Sequence, residues 1–405
     1  MKKALLSFFS LLLLLIISVS LFSRYSGLGI RVYDGKYIGY SPQTHEWLFV
    51  EYQNVPLVHD GPYVFNQGDK RFAWYVTGDG DGDTTATKIA VADKVDVTVE
   101  NDAATTFEVE LRSSYPRSSL SYDKPSKVLA MSDLEGNFDA MTGLLHANGV
   151  INDALDWRYG SGHLVLIGDM VDRGINVVPL LWLIYKLEAQ AQLAGGQVHY
   201  VLGNHERYLL HGGIKSIARK YYGSSRAIGL SPKALWSESS ELAQWLQSKP
   251  AMIKLGDTLY VHGGVSPYVL EQQPTLGRID AEVEERFVLR DLAKGFAESG
   301  FLNGHEGLLF YRNLAKDMTH RGQGEKAQIE HVERVLLTFN ASRIVIGHTL
   351  TEHVGHDFDR KVIRVDVPHG RGINEALLIE NENLWRVDSK GNRFPLSKAK
   401  NFVFH

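Results

Sequence analysis

Two patterns of apolar and polar residues divide the chain. The first predicts strands only, and the second predicts strands that alternate with helices. Between residues 30 and about 122, segments such as "IRVYDGKYIGY" and "TFEVELR" alternate apolar and polar residues between Gly, Asp and Asn turns. This period of two predicts β-strands. After residue 127, nearly continuous apolar strands such as "HLVLIG" precede amphipathic segments. That order predicts an α/β sheet covered by helices.

The N-terminus carries a third pattern, because Lys2 and Lys3 precede an uncharged, apolar run of nineteen residues at 4–22. A helix of that length spans a hydrocarbon layer of about 30 Å, and flanking lysines remain in the cytoplasm. The run therefore predicts an uncleaved, single-pass signal anchor in the inner membrane, with the chain after Arg24 on the extracytoplasmic side. The alternative is a cleaved signal peptide, in which the small residues Ser18 and Ser20 would serve the peptidase and the chain would be released into the periplasm.

Length and composition narrow the class of protein. A chain of 405 residues exceeds what one core usually organises, and we predict a signal anchor at 1–25, a β-rich module at 26–125 and a larger α/β domain at 126–405. Hydrophobic residues make up 44% and charged residues 22%, as in globular proteins. The net charge of -4 provides no basic field for a nucleic-acid backbone. Cys is absent, so only His, Asp, Glu and Asn remain as metal ligands.

Five core strands of the predicted α/β domain end in polar clusters. In sheets of this type the carboxyl ends of the strands line the ligand crevice, so distant clusters can converge there. Asp, Asn and His side chains that converge without Cys predict a pair of hard or borderline metal ions. The five clusters are "MSDLEGN" with Asp133, "IGDMVDRG" with Asp169, "LGNHE" with Asn204, "VHGG" with His262 and "IGHT" with His348.

These motifs carry a family resemblance. The set "GDMVDRG", "GNHE" and "HGGVSP" resembles the calcineurin-like metallophosphoesterases, and especially the phosphoprotein phosphatase branch with its bacterial Shewanella-like members. The similarity covers roughly residues 127 to 380. It implies an α/β (α+β) fold, in which a double β-sheet sandwich is flanked by helices, here preceded by the β module and the membrane helix.

The resemblance also implies the metal ligands. One divalent ion would be held by Asp133, Glu135 and Asp169, and a second by Asp169, Asn204, His262 and His348, so that Asp169 bridges them. Two such ions clamp a phosphoryl group and lower the pKa of a shared water to about 7, which makes metal-bound hydroxide available as the nucleophile.

Four further residues take catalytic roles in the resemblance. Asp172 would orient His205, and His205 would protonate the departing oxygen as a general acid. Arg173 supplies a planar fork that matches phosphate oxygens. A second arginine, Arg312 in "GHEGLLFYRNLAKD", would complete the phosphate clamp.

One motif departs from the family pattern. The usual Gly-Asp-x-His-Gly is replaced by "SDLEGN", with Ser132 for the first Gly and Glu135 for the His. A glutamate ligand makes the first site harder and more negative, which favours Mn²⁺, with Fe or Zn as alternatives.

The sequence therefore predicts a phosphomonoester hydrolase that depends on two metal ions. The branch that it resembles acts on phosphotyrosine or on phosphoserine and phosphothreonine, so the expected partners are a phosphorylated protein or a small phosphoester, and the membrane through the N-terminal helix. Two alternatives remain open: a hydrolase of dinucleoside polyphosphates or phosphodiesters, and a catalytically weak metal-binding module of the cell envelope.

Overall fold

The structure of the chain is a computed structural model. Within the residues that it describes, no helix is long and apolar enough to cross a membrane. Most of the predicted anchor at 4–22 lies outside the described residues, and so do positions 286–299 of a helical segment that we predict at 279–299. The described residues are 10–15, 17–18, 30–33, 36–41, 46–51, 57–80, 83–213, 216–285 and 300–403.

Strands dominate the first part of the chain, and helices and strands alternate in the second. The strands are Ile30–Tyr33 (β1), Lys36–Ser41 (β2), Glu46–Glu51 (β3), His59–Gln67 (β4), Lys70–Gly78 (β5), Thr84–Val91 (β6), Lys94–Thr98 (β7), Thr106–Glu110 (β8), Ser121–Tyr122 (β9), Lys127–Met131 (β10), His163–Ile167 (β11), Gln197–Val201 (β12), Met252–Leu255 (β13), Thr258–Val261 (β14), Arg343–Ile346 (β15), Gly355–Asp357 (β16), Val362–Arg364 (β17), Glu375–Glu380 (β18), Asn383–Asp388 (β19), Arg393–Pro395 (β20) and Ser397–Lys398 (β21). The α-helices are Phe138–Ala147 (α1), Val177–Leu193 (α2), Asn204–Leu210 (α3), Lys220–Ile228 (α4), Glu241–Gln247 (α5), Pro267–Glu271 (α6), Leu276–Val283 (α7) and Ile329–Thr338 (α8).

Contacts divide the chain into two compact units. Unit 1 comprises Met1–Val91 and Tyr208–Ala243, and unit 2 comprises Ala92–Arg207 and Gln244–His405. Every residue to which the sequence gives a metal-binding or catalytic role belongs to unit 2. The predicted domain bounds at residues 25 and 125 stay a prediction, since contact density does not test which segments fold independently.

Unit 1 contains two antiparallel sheets, with strand orders β1-β2-β3 and β4-β5-β6. On β5 the buried side chains are Ala73 and Val76, which are three residues apart, so the burial on this strand does not follow the period of two in the sequence. The expectation of a β-rich segment without helices between residues 30 and 122 is confirmed for the described residues of that range.

Unit 2 is built around two sheets that pack face to face. The first has the order β12-β11-β10-β18-β19-β20, and the second has the order β21-β16-β17-β15-β14-β13-β9. Buried side chains from both sheets, including Val165 and Ile167 on β11 and Val345 on β15, belong to one apolar core. The double β-sheet sandwich expected for unit 2 is therefore confirmed.

Parallel pairing sets the position of the functional loops. Strands β10, β11 and β12 are mutually parallel neighbours, and so are β14, β15 and β17. Because parallel neighbours end at the same edge of a sheet, the loops that follow them form one row along each sheet. The predicted polar clusters lie in these loops.

Candidate active site

The five predicted strand ends meet where the edges of the two sheets lie side by side. His262, after β14, donates its Nδ1–H to the carbonyl oxygen of Ile167 at the end of β11, over 2.8 Å. The backbone N–H of His348, after β15, donates to Asp133 Oδ2 over 3.0 Å. These contacts connect the two sheets at the site, where the sequence predicts that the polar clusters converge.

Asp169, His262 and His348 are buried, and each offers one ligand atom within 4.8 Å of the others. His262 Nε2 lies 3.2 Å from Asp169 Oδ2 and 3.0 Å from Asn204 Oδ1. Since Nδ1 of His262 already donates its proton to Ile167, a neutral His262 turns a lone pair towards two oxygens. A set of converging acceptors fits a divalent cation.

The surroundings of His262 and His348 shift the pKa values of the two histidines in opposite directions. Burial would lower the pKa of His262, but Asp169 beside it raises that pKa to about 10. A metal cation bound here would neutralise the charge of Asp169 in place of the proton on His262. His348 differs, because burial and the nearby Arg312 lower its pKa well below the usual value. His348 is therefore neutral, as an imidazole ligand must be.

Asp172 and His205 form the expected pair. Asp172 Oδ2 lies 2.7 Å from His205 Nδ1, and the backbone N–H of His205 donates to Asp169 Oδ1 over 2.9 Å. Burial would lower the pKa of His205, but Asp169 and Asp172 raise it to about 9. Its Nε2 is thus protonated at neutral pH, which suits a general acid.

Arg173 lies at the open side of this pair. Its Nη2 is 3.4 Å from His205 Nε2, and its side chain is 57% exposed. Its Nη1 forms an ion pair with Glu135 Oε1. The carboxylate of Glu135 is therefore engaged by Arg173 and does not belong to the cluster of three ligands, so its role as a metal ligand stays a prediction.

Arg312 lies beside the last strand end. Its Nη1 donates to the carbonyl oxygen of His348 and lies 3.4 Å from Thr349 Oγ1. Burial lowers the pKa of Arg312, and the carboxylates of Asp366 and Asp133 oppose that effect. The structure thus brings a second guanidinium to the rim of the site, as the sequence predicts.

Glu206 organises the loops, although the sequence analysis gave it no role. Its carboxylate accepts the N–H groups of Asp169, Met170 and Gly203 over 2.9, 2.9 and 2.7 Å. It also accepts the hydroxyl of Tyr200 over 2.8 Å. Its place in "GNHE", in the first turn of the helix that follows β12, was the sequence signal that could have identified it, because a carboxylate there can accept backbone N–H groups.

A hairpin in unit 2 supports the loop that carries Arg173. Asn176, directly before α2, donates from Nδ2 to the carbonyl oxygen of Glu100 over 2.9 Å, and Glu100 N–H donates back to Asn176 Oδ1 over 3.1 Å. Asn101 Nδ2 reaches Asp139 Oδ1 over 2.7 Å in the first turn of α1. The β7–β8 turn therefore ties the starts of both helices that follow the metal loops.

The backbone of the site is unusual. Gly168 has a φ of 75°, and a Cβ there would lie 2.6 Å from Gly203 Cα, so only glycine fits. Several residues with side chains also adopt left-handed backbone angles, which are uncommon outside glycine. Their φ values are 55° for Asp133, 50° for Glu135, 55° for Asp169, 70° for Asp172, 57° for Arg173 and 62° for His348.

Comparison with known proteins places the site in a family context. Residues 126–352 match the family of calcineurin-like phosphoesterases. An uncharacterized protein of Schizosaccharomyces pombe is 29% identical over 242 residues, which cover 56% of this chain and 68% of that protein. Shewanella-like protein phosphatase 2 of Arabidopsis thaliana is 23% identical over 300 residues, covering 63% of this chain and 74% of that one. The solved structure of a cold-active protein-tyrosine phosphatase from a psychrophilic Shewanella species is 30% identical, has a TM-score of 0.73, and covers 84% of this chain and 99% of that chain.

Proposed function

Because this chain belongs to the calcineurin-like phosphoesterase family and is a phosphatase, we propose that it dephosphorylates proteins, with phosphotyrosine as the preferred residue. The observation that carries this proposal is the similarity to a protein-tyrosine phosphatase over 99% of that chain at a TM-score of 0.73. The relation to a Shewanella-like protein phosphatase supports a protein substrate.

Two guanidinium groups are suited to hold the phosphate. Arg173 is exposed beside His205, and Arg312 lies next to His348. Forked N–H donors match the oxygens of a phosphate dianion. Before the substrate binds, the ion pair with Glu135 holds the Arg173 guanidinium in place. A phosphate that binds Arg173 then replaces Glu135 as its partner.

His205 is placed to protonate the leaving oxygen. Asp172 fixes the ring through Nδ1, and this leaves Nε2–H close to Arg173, at the side where the phosphate is expected. A tyrosine oxygen leaves more readily as a phenol than as a phenolate, so proton donation from Nε2 lowers the barrier.

The donor set of the site suits two divalent ions, with Mn²⁺ as the proposed metal. Asp169, Asn204, His262 and His348 fit one ion, and Asp133 with Asp169 provides the carboxylates for another. Oxygen-rich ligand sets favour Mn²⁺ over softer ions. When bound, the ions polarise the phosphoryl oxygens and activate an attacking water.

Phosphate release by the full chain in detergent tests this function. Phosphotyrosine, phosphoserine and phosphothreonine peptides are compared with a dinucleoside tetraphosphate in the presence of Mn²⁺, with His205→Asn as the blank. We expect release from the phosphotyrosine peptide that the variant lacks. Hydrolysis of the nucleotide alone would replace this proposal with small-molecule chemistry, and no release from any substrate would favour a metal-binding module.

We further propose that the active site faces the extracytoplasmic side of the inner membrane. The support is the sequence alone, namely Lys2 and Lys3 before the apolar run at 4–22. Protease added to intact spheroplasts should degrade the full chain in the membrane fraction. Protection until lysis would contradict this location.

A further inference from the structure

Asp366 occupies the next place in the row of strand ends after His262 and His348. Strand β17 is parallel to β15, with Ile346 opposite Arg364, and Val365 N–H extends the pairing to the carbonyl oxygen of Ile346 over 3.0 Å. Continuing this register by two residues places Asp366 beside His348. The carbonyl oxygen of Asp366 is held by the N–H of Thr351 over 2.8 Å.

The side chain of Asp366 has a free acceptor. Asp366 is 2% exposed, and no donor among the described residues forms a hydrogen bond with its Oδ1. Ser132 Oγ, at the loop of Asp133, is also buried, and within the described part of the chain it meets no partner at hydrogen-bond geometry. A Cβ on Gly347 would lie 2.7 Å from both Ser132 Oγ and Asp133 Oδ2, so these oxygens surround the end of β15, next to which Asp366 lies.

The charges around Asp366 demand compensation. Burial and the carboxylates of Asp133 and Glu135 all disfavour a negative charge on Asp366, and they raise its pKa. Arg312 and Arg364 both interact electrostatically with Asp366. Arg312 donates to the carbonyl oxygen of His348, and Arg364 donates to backbone carbonyls and pairs with Asp357. A buried water would satisfy only the hydrogen bond of Oδ1, whereas a divalent cation would also offset the repulsion between Asp366 and the neighbouring carboxylates.

We propose that Asp366 is a ligand of the metal ion on the Asp133 side, where its Oδ1 takes the place that Glu135 leaves when Glu135 holds Arg173. This inference rests on the proposed function, because it requires two divalent ions. Asp366 would then supply the ligand that the histidine supplies in the usual family motif, where this chain has Glu135.

Metal content of the full chain tests this assignment without measuring activity. Wild type, Asp366→Asn and a control, Asp357→Asn, are stripped with chelator in detergent and reloaded with Mn²⁺ or Co²⁺. The control removes a carboxylate that is 3% exposed and pairs with Lys326 and Arg364 on the same sheet, away from the ligand cluster. Circular dichroism and the melting temperature establish that each variant is folded.

We expect wild type and Asp357→Asn to bind two ions. Asp366→Asn should retain one, or bind the second at least 100-fold more weakly, with a changed visible Co²⁺ absorption because a coordinated oxygen is lost. Two ions at unchanged affinity would overturn the proposal. So would two ions bound 10- to 100-fold more weakly with an unchanged Co²⁺ spectrum, since that result describes an outer-sphere residue. If wild type itself binds no metal, the proposed function fails as well.

Discussion

Asp172 Oδ2 and His205 Nδ1 lie 2.7 Å apart in the buried part of the site, which leaves Nε2 of His205 as the proton donor. Replacing His205 with Asn should lower kcat by about 10²- to 10⁴-fold while both metal ions stay bound. Steady-state kinetics and metal analysis on the same sample test this. Loss of a metal ion together with activity would mean that His205 is a ligand.

The contact between Asp172 and His205 should also make the stability of the metal-free protein depend on pH. The pKa of His205 is about 9 in the folded chain and about 6.5 in an unfolded one. Its stabilising contribution is therefore complete below pH 6.5 and is lost as the pH rises through 9, with a slope of at most about 1.4 kcal/mol per pH unit. Urea unfolding in chelator between pH 6 and 10 measures the slope, and His205→Asn should reduce it over that window while leaving the part that comes from His262.

Arg173 should act on substrate binding more than on metal binding. Arg173→Ala removes one of two forks at the phosphate, and we expect KM for a phosphotyrosine peptide to rise about tenfold or more. Arg278 is a matched control, because its guanidinium donates to the carbonyl of Gln272 and stacks near Phe301. An equal effect of Arg278→Ala would show that the loss is not specific to the site.

Glu206 should matter for folding as well as for activity. Glu206→Ala leaves the buried N–H groups of Asp169, Met170 and Gly203 without their acceptor. At about 1–3 kcal/mol for each unsatisfied group, the free energy of unfolding should fall by about 3 kcal/mol or more. Chemical denaturation tests this, and a loss below 1 kcal/mol would contradict it. Glu206→Gln, which keeps acceptor oxygen, should cost less.

Substitution of Asn176 should change substrate binding although Asn176 is not among the proposed phosphate-binding residues. Asn176→Ala cuts both hydrogen bonds to Glu100 and loosens the loop that carries Arg173. We expect a higher KM at nearly unchanged kcat and unchanged metal content. Asn101→Ala, which cuts the bond to Asp139 at the other helix, is the comparison, and an equal rise in KM there would assign the effect to the whole hairpin.

The sequence predicted the large elements because hydrophobic period and strand ends are local signals. The run "HLVLIG" and the polar cluster after it were enough to place Asp169 at the end of β11. Period alone did not determine that β18 pairs antiparallel with β10, because strand pairing depends on contacts between distant segments.

The sequence predicted that Asp169, His262 and His348 come together, and it did not identify the residues that support them. Asp366 follows "KVIRV" and reads as one more polar residue of an alternating strand, so nothing local distinguishes it. Glu206 accepts from two different loops, and such a pattern becomes visible only in three dimensions. The ion pair of Glu135 with Arg173 was not expected either, since Glu135 had been assigned to a metal.

Asp133, Asp169, Asp172 and His348 have left-handed backbone angles, so the residues that the site uses lower the stability of the fold. Such conformations cost of order 1–3 kcal/mol each for residues with side chains, and glycine would relieve that cost. Selection of this chain for heat resistance alone would therefore tend to place glycine at these positions and erase the active site. Asp and His at these four positions therefore serve the chemistry of the site and lower the free energy of unfolding.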